Sequence, residues 1–372
     1  MPNQSILLTG ATGAVGSEVL RKLAQRKGIT VNLIVRRGDS DPDARVRSIL
    51  TGVDVAASVN VLEGDVCAGP SLGLGDPVLK TLQKETTHII NSAGSTSFTL
   101  PLEAARVANV VGSRNVLEFA RACERLECGE FLSTVYVSGK RRGDFGECDY
   151  GDAGNGFVNS YEESKAEMEE MIREGMQDLP LILVRLSIVA GDSVTGRVNH
   201  FNTIHHAIRL LYNGLAPMIP GDPDEPVDIV SSDFVAAGVL HLLEHAQRPG
   251  VFHLAAGRAS NTLAEIIDET MDALARHRPQ WRKRTVEKPL IVDLDTYELF
   301  VRSVEETGNP VLKDATRSIR TFAYQLAHPK VFQTRQATAT LALRGIAPQP
   351  SLAFYSRVVK YCVESNWGRT PS

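Results

Sequence analysis

The stretch Ser5-Ile-Leu-Leu-Thr-Gly-Ala-Thr-Gly-Ala-Val-Gly16 decides the fold, because a short apolar run leads directly into glycines at positions 10, 13 and 16. The run reads as a strand and the glycines as a tight turn. Directly after it, Ser17-Glu-Val-Leu-Arg-Lys-Leu23 places apolar residues at 19, 20 and 23, one face of a helical period. Strand, glycine turn and helix in that order make the pattern that seats a dinucleotide pyrophosphate at a helix start, where unpaired amides face the anion. In this reading Gly10 makes the turn, Gly13 leaves room for the phosphates and Gly16 lets helix and strand pack closely.

Composition narrows the function classes. The 372 residues suffice for one large or two modest domains. A formal net charge of −4 and a pI near 6.2 offer no general attraction to nucleic acid or an anionic membrane. No apolar run approaches the roughly 18 residues of a membrane span. Met1 to Gln4 precede the first strand without a charged and apolar leader, so a cytoplasmic chain is expected. Cysteines 67, 123, 128, 148 and 362 form no CxxC pair and read as free thiols. His200, His205 and His206 have no acidic or cysteine partner at ligand spacing, so no metal is expected.

Outward from the turn, the chain alternates strands with helical patterns. Residues 30–35 form a second apolar strand that ends in Arg36-Arg37-Gly38. An NAD site usually carries an acidic residue here for the ribose hydroxyls, whereas two arginines suit the 2′-phosphate of NADP; a solvated basic strand end gives the same pattern. Residues 59–62 make a third strand, followed by Gly64-Asp65-Val66, where Asp65 can reach an adenine amino group. Residues 88–91 make a fourth, followed by Ser92-Ala93-Gly94-Ser95-Thr96, small residues that let backbone approach a flat ring. A helix is expected over 102–126, carrying Asn109, Gly112 and Asn115, and further strands over 130–137, 181–189 and 251–255. The alternation predicts an α/β fold: a doubly wound parallel sheet of the Rossmann kind, with helices on both faces.

Ser160-Tyr161-Glu162-Glu163-Ser164-Lys165 follows the fifth strand. Residues four apart share a helix face, so the Lys165 ammonium is expected near the Tyr161 hydroxyl, lowering the phenol from its ordinary value of about 10. Met168 and Ile172 continue that face and would pack the helix on the sheet. A simple helix-surface pair is the other reading of the same spacing. Position favours chemistry, because Ser133-Thr134 ends the fifth strand and the carboxyl ends of parallel strands line the ligand crevice.

Thr9-Gly-Ala-Thr-Gly-Ala-Val-Gly16, Thr134, and Tyr161 with Lys165 together resemble the extended short-chain dehydrogenases/reductases. Within that group the chain is most similar to the fatty acyl-CoA reductases and to the terminal thioester reductase domains of carboxylic acid reductases and peptide synthetases. The closer likeness rests on Ala93-Gly94-Ser95-Thr96-Ser97-Phe98 with Pro101-Leu102, on Asn109-Val110-Val111-Gly112-Ser113, and on residues 132–139 and 184–193. It is good over about residues 5–256 and faint beyond, where 331–335 and 355–367 carry it. The resemblance implies that NADPH reduces an acyl thioester, delivered by coenzyme A or an acyl carrier protein, to an aldehyde or onward to the alcohol. It implies Thr134, Tyr161 and Lys165 as catalytic residues and Asn109 as the holder of a connecting water. It places Thr9, Gly10, Thr12, Gly13, Ala14, Val15, Gly16, Arg36 and Arg37 beside the cofactor. Asp65, Val66, Ser92, Ala93, Gly94, Tyr161, Lys165, Leu186 and Ile188 complete that set. Two features depart from the pattern: Ala14 stands where these reductases often carry a bulky residue, and no adenylation or carrier segment accompanies the chain.

Two other readings stay open. One is a reductase of a free aldehyde or ketone, or a sugar-nucleotide epimerase or dehydratase, although Val135 stands where a dehydratase usually has an acidic residue. The other is a non-catalytic nucleotide sensor. Residues 1–191 with 226–256 are expected to form the nucleotide-binding domain, and 192–225 with 257–372 a smaller, mostly helical substrate domain. There Ile204, Ile208, Leu211 and Leu215 form one stripe, fit for core packing or for lining an acyl site. Arg282-Lys283-Arg284 beside Trp281 reads as a solvated helix end or a carrier-docking group, and 300–326 looks helical. A monomer or homodimer is expected.

Overall fold

The computed structural model describes residues 4–38, 40–151, 154–281 and 286–369. Seven strands form its main sheet: β1 (Gln4–Thr9), β2 (Ile29–Val35), β3 (Ser58–Glu63), β4 (His88–Asn91), β5 (Cys128–Thr134), β6 (Leu181–Leu186) and β7 (Gly250–Leu254). All pair in parallel, in the order β7-β6-β5-β4-β1-β2-β3. Such strands are covered on both faces and read as continuous apolar runs. Alternate residues serve opposite faces: Ile6 and Leu8 enter one core with β2 residues Val31, Leu33 and Val35, while Leu7 enters the other with Ile89 and Phe131.

The first half of the chain supplies α1 (Ala14–Ala24), α2 (Pro42–Ile49), α3 (Asp76–Glu85), α4 (Leu102–Arg106), α5 (Gly112–Arg121) and α6 (Ser160–Gly175). The second supplies α7 (Thr203–Asn213), α8 (Ser232–His245), α9 (Leu263–His277), α10 (Leu294–Thr307), α11 (Pro310–Leu326), α12 (Arg335–Leu341) and α13 (Leu352–Glu364). Helices α1 and α8 cover one face through Val19, Leu20, Leu23, Val235 and Val239. Helices α5 and α6 cover the other through Val116, Phe119, Met168 and Ile172.

Four boundaries differ from the sequence pattern, each for a local reason. β5 ends at Thr134, because the Thr134 hydroxyl accepts from Tyr136 N at 3.2 Å and caps a single tight turn over Val135–Ser138. β6 ends at Leu186, and Ile188–Val189 pairs with Ile229–Val230 instead. The helix expected to run to 126 stops at Arg121. The helical stretch 300–326 is two helices: Gly308, at φ +73°, ends α10, and Asn309 caps α11 ahead of Pro310.

A second apolar core lies under α7, α9 and α13, where Ile204 and Ile208 meet Ile266, Leu274, Phe354 and Val358. Ile204, Ile208 and Leu211 are buried, so the stripe on α7 is packing rather than lining. Ala190, Val227 and Ile229 join this core from the sheet side. The Trp281 indole donates to the Tyr212 carbonyl at 2.7 Å. Arg282-Lys283-Arg284 lies outside the described residues.

Candidate active site

The strand order reverses between β1 and β4, and the crevice at such a switch point is where this sheet type binds ligands. Gly10 sits there at φ +69°, and a Cβ on it would fall 2.5 Å from the Ser92 backbone at the end of β4. A Cβ on Gly16 would collide with the Gly10 carbonyl, whereas Gly13 meets only that same oxygen, at 3.3 Å. The glycines therefore make the turn, seat the helix and leave a gap, in three separate ways. Gly13 begins α1 without a side-chain cap, so the first-turn amides, Ala14 to Gly16, have no side chain bonded in front of them. Thr9 Oγ1 donates to Asn91 Oδ1 at 2.6 Å and accepts from Ala93 N at 3.3 Å, tying β1 to the Ser92-Ala93-Gly94 stretch. Thr12, Ala14 and Val15 lie in or directly after the turn.

Residues 192–200 return over this turn, which the sequence did not signal. Arg197 Nη2 pairs with Glu18 Oε1 at 2.6 Å, and Asn199 Nδ2 donates to Ser17 Oγ at 3.1 Å. A cleft with about 240 Å³ of open space lies between them, lined by Ala14, Arg197, Asn199, His200 and Ser232 among others. His205 serves structure: Nδ1 accepts from Asn202 N at 2.9 Å, Nε2 donates to the Ala190 carbonyl, and burial pushes it down to about 4. Among the described residues no group of potential metal ligands is found.

At the end of β2, Arg36 and Arg37 are exposed and Arg37 Nε lies 3.3 Å from Glu63 Oε1. Arg45 on α2 donates to the Arg36 carbonyl and brings a third guanidinium to this corner, one the sequence reading missed. Asp65 Oδ1 accepts from Cys67 N at 2.9 Å, and the Val66 carbonyl accepts from Asn115 Nδ2 at 2.7 Å.

Asn159 caps α6 by accepting from Glu162 N at 3.0 Å, which fixes Tyr161 in the first turn. The half-buried Tyr161 ring lies 5.5 Å from that of Phe98, and the Thr134 hydroxyl is near enough to its phenol oxygen to favour the phenolate. Thr134 Oγ1 in turn donates to the Leu186 carbonyl at 3.3 Å. Burial pushes the phenol up to about 12, opposite to the lowering expected from its lysine neighbour. Lys165 is buried, and its ammonium donates to the Leu132 carbonyl of β5 at 2.7 Å. Desolvation therefore dominates both groups and pushes Lys165 down to about 8.

Asn109 sits in a wide five-residue π turn, Val107–Val111, between α4 and α5. Its amide donates to the Ser95 carbonyl at 3.2 Å and to Ser164 Oγ at 2.9 Å, and its oxygen accepts from Ser95 N at 2.8 Å. Here Asn109 ties the loop after β4 to α6 with every polar atom engaged. Leu186 ends β6 beside Thr134, and Ile188 lies half-buried just beyond.

Three further residues around the start of α6 and the turn after β5 have no motif to announce them. Glu162, buried, accepts from Gln325 Nε2 at 2.6 Å and from Val158 N at 2.9 Å, and burial pushes its carboxyl up. Lys330, also buried, is pushed down to about 8 by desolvation. Tyr136 lies in the turn that Thr134 caps, and its hydroxyl is pushed up by burial. Tyr136 and Lys330, with Asp228, His328 and Phe332, line a cleft open to solvent, and Glu162 stands behind its Gln325 wall. Contacts such as Glu162 to Gln325, 163 positions apart, leave no local trace in sequence.

Residues 8–239, well over half the chain, match the NAD-binding family described as male sterility protein. The chain belongs to that family. As a member of this NAD(P)-binding oxidoreductase family, it is 28% identical over 265 residues to a linear gramicidin synthase protein of Brevibacillus parabrevis, covering 68% of this chain but 5% of that protein. To the alcohol-forming fatty acyl-CoA reductase of Simmondsia chinensis it is 23% identical over 336 residues, 70% of this chain and 68% of that one. The terminal R domain of the myxalamid PKS-NRPS pathway shares its fold, with a TM-score of 0.79 at 21% identity, over 99% of this chain and 92% of that one. The resemblance to acyl and thioester reductases is thus matched by the family and its relatives. No described helix of this family member is long and apolar enough to cross a membrane.

Proposed function

We propose that the chain is an NADPH-dependent reductase of acyl thioesters, releasing an aldehyde and a thiol, with the alcohol as the product of a second reduction. The observation that carries this reading is the Tyr161 hydroxyl beside Thr134 at the carboxyl end of β5, with Tyr136, two residues on, lining a cleft. The acyl-CoA reductase and peptide synthetase relatives support a thioester, borne by coenzyme A or by an acyl carrier protein. Arg36, Arg37 and Arg45 at the end of β2 support NADPH over NADH, because guanidinium groups suit a 2′-phosphate. In this reading residues 1–191 with 226–256 hold the nucleotide, and 192–225 with 257–372 shape the acyl site. The free cysteines suit the reducing cytoplasm.

NADPH, when bound, supplies the hydride that reduces the acyl carbon. The chain's task is then to manage the charge that develops on the carbonyl oxygen. A phenol at about 12 keeps its proton at neutral pH, so Tyr161 meets that oxygen as a proton donor. Thr134 orients the phenol, and its O–H, turned from the Leu186 carbonyl, offers a second hydrogen bond to the oxygen. Lys165, buried next to the strand, lends positive charge as the phenolate forms. Asn109 fixes the Ser95 loop against α6 and so sets the floor beside Tyr161. The hemithioacetal formed from a thioester collapses to aldehyde and thiol.

The test is NADPH oxidation by the purified protein, offered an acyl-CoA, the matching carrier-bound thioester and the matching free aldehyde. Thiol release with aldehyde formation is the expected result. Turnover of the aldehyde alone overturns the thioester reading.

A further inference from the structure

The cleft lined by Tyr136, two residues after Thr134, carries hydrogen-bonding groups that the fold leaves unused. Lys330 is only 5% exposed, yet among the described residues its ammonium meets one oxygen acceptor, the His328 carbonyl at 2.8 Å. Glu162 offsets its charge without an ion-pair contact, and the Glu162 oxygens are already taken by Gln325, Val158 and Asn159. His328 presents a buried Nδ1 with no partner. The Tyr136 hydroxyl, in the same lining, makes no hydrogen bond among the described residues. Asp228 is different, since Ala256 N, Gly257 N and Ser260 Oγ occupy both its oxygens and make it part of the frame.

A plain hydrocarbon laid in this cleft would remove water from these donors and return nothing, at a cost of about tenfold in binding for each donor left unpaired. An anionic chain end would meet the Asp222 and Glu225 carboxylates of the same lining. A neutral oxygen satisfies the donors without that repulsion. We propose that the cleft selects acyl groups bearing a ketone or hydroxyl along the chain over unsubstituted chains of equal length, with Lys330 and Tyr136 as the specificity-determining residues. This inference rests on the thioester reductase reading and names its substrate class.

The experiment compares kcat/KM across acyl-CoAs of one chain length, either unsubstituted, carrying one keto or hydroxyl group at successive carbons, or ending in a carboxylate. The corresponding free aldehydes run in parallel. At least one keto or hydroxyl member is expected to exceed the plain chain by about tenfold or more. Lys330→Met should bring that ratio to within about twofold at unchanged NADPH affinity, while Lys330→Arg, which keeps a donor, retains the preference. If Lys330→Met does not fold, Tyr136→Phe makes the same test with a smaller change. Equal turnover across the wild-type panel, a preference for the carboxylate member, or a preference that survives both Lys330→Met and Tyr136→Phe would overturn the inference. Turnover of aldehydes alone, with the oxygenated members still preferred, would overturn the thioester reading and leave the cleft assignment standing. Silence in both arms while NADPH still binds would overturn both.

Discussion

Burial shifts Tyr161 and Lys165 in opposite directions, the phenol up to about 12 and the ammonium down to about 8. Tyr161→Phe should lower kcat by roughly 10²–10⁴-fold while the nicotinamide nucleotide still binds, measured by turnover and by nucleotide fluorescence. Lys165 binds fewer protons folded than unfolded between about pH 8 and its ordinary 10.5, so this group makes stability rise with pH across that window. Lys165→Met should therefore abolish turnover yet raise the urea midpoint of the nucleotide-free protein at pH 7, with a smaller gain on going to pH 9. Gly10→Ala should destabilise the fold by more than about 1 kcal/mol and weaken nucleotide binding, because it adds a left-handed penalty to a backbone collision with Ser92. Gly10, Tyr161 and Lys165 were all legible in the sequence because their spacing is local. The direction of the Tyr161 shift was not, because it depends on what encloses the ring.

Among the elements, β7 and α12 are joined by one carboxylate. Glu147 accepts from His253 N at 3.0 Å, Gln336 N at 2.6 Å and Ala337 N at 2.9 Å, so it both pins the strand and caps the helix. Beneath it Arg185, fully buried, pairs with Glu169 at 2.7 Å and donates to His253 Nε2 at 3.2 Å. His253 must accept at Nε2 and is therefore neutral there; desolvation, with Arg185 beside it, pushes it down to about 3. Its folded value lies below the unfolded 6.5, so stability drops as pH falls from about 6.5 towards 3. His253→Gln keeps an acceptor for Arg185 and should reduce the loss of unfolding free energy between pH 7 and pH 5 by about 1–2 kcal/mol, read from urea melts. The β1–turn–α1 unit and most of the sheet were legible as elements because apolar runs bounded by glycine carry their own punctuation. The end of β5 was not, since the Thr134 cap that stops it depends on how a hydroxyl turns back on its own chain. Gly308 and Pro310 did mark the break between α10 and α11 in the sequence, and apolar periodicity on both sides masked it.

On the scale of the whole molecule, the second core draws on three separated stretches, with Ile204 on α7, Ile266 on α9 and Phe354 and Val358 on α13 all in one cluster. Phe354→Ala should cost about 3–5 kcal/mol, measured by urea unfolding, although it touches neither the glycine turn nor Tyr161. The same substitution should lower activity through the loop over the turn. That loop leans on α13: Arg357 Nε donates to the Ser193 carbonyl at 2.8 Å, and Gly196 has no room for a Cβ against the Arg357 backbone. None of this pairing was legible, because contacts between 193 and 357 follow no period.

The bracing of residues 192–200 by α13 also sets an order of events during synthesis. The glycine turn at residues 10–16 leaves the ribosome early, yet the loop that closes over it gains its support only once residues 352–364 have emerged. A nascent chain stalled before α13 is thus expected to hold nucleotide poorly, so bound nucleotide cannot chaperone the early stages of folding. Its stabilising effect arrives late, as a lock on a chain already assembled.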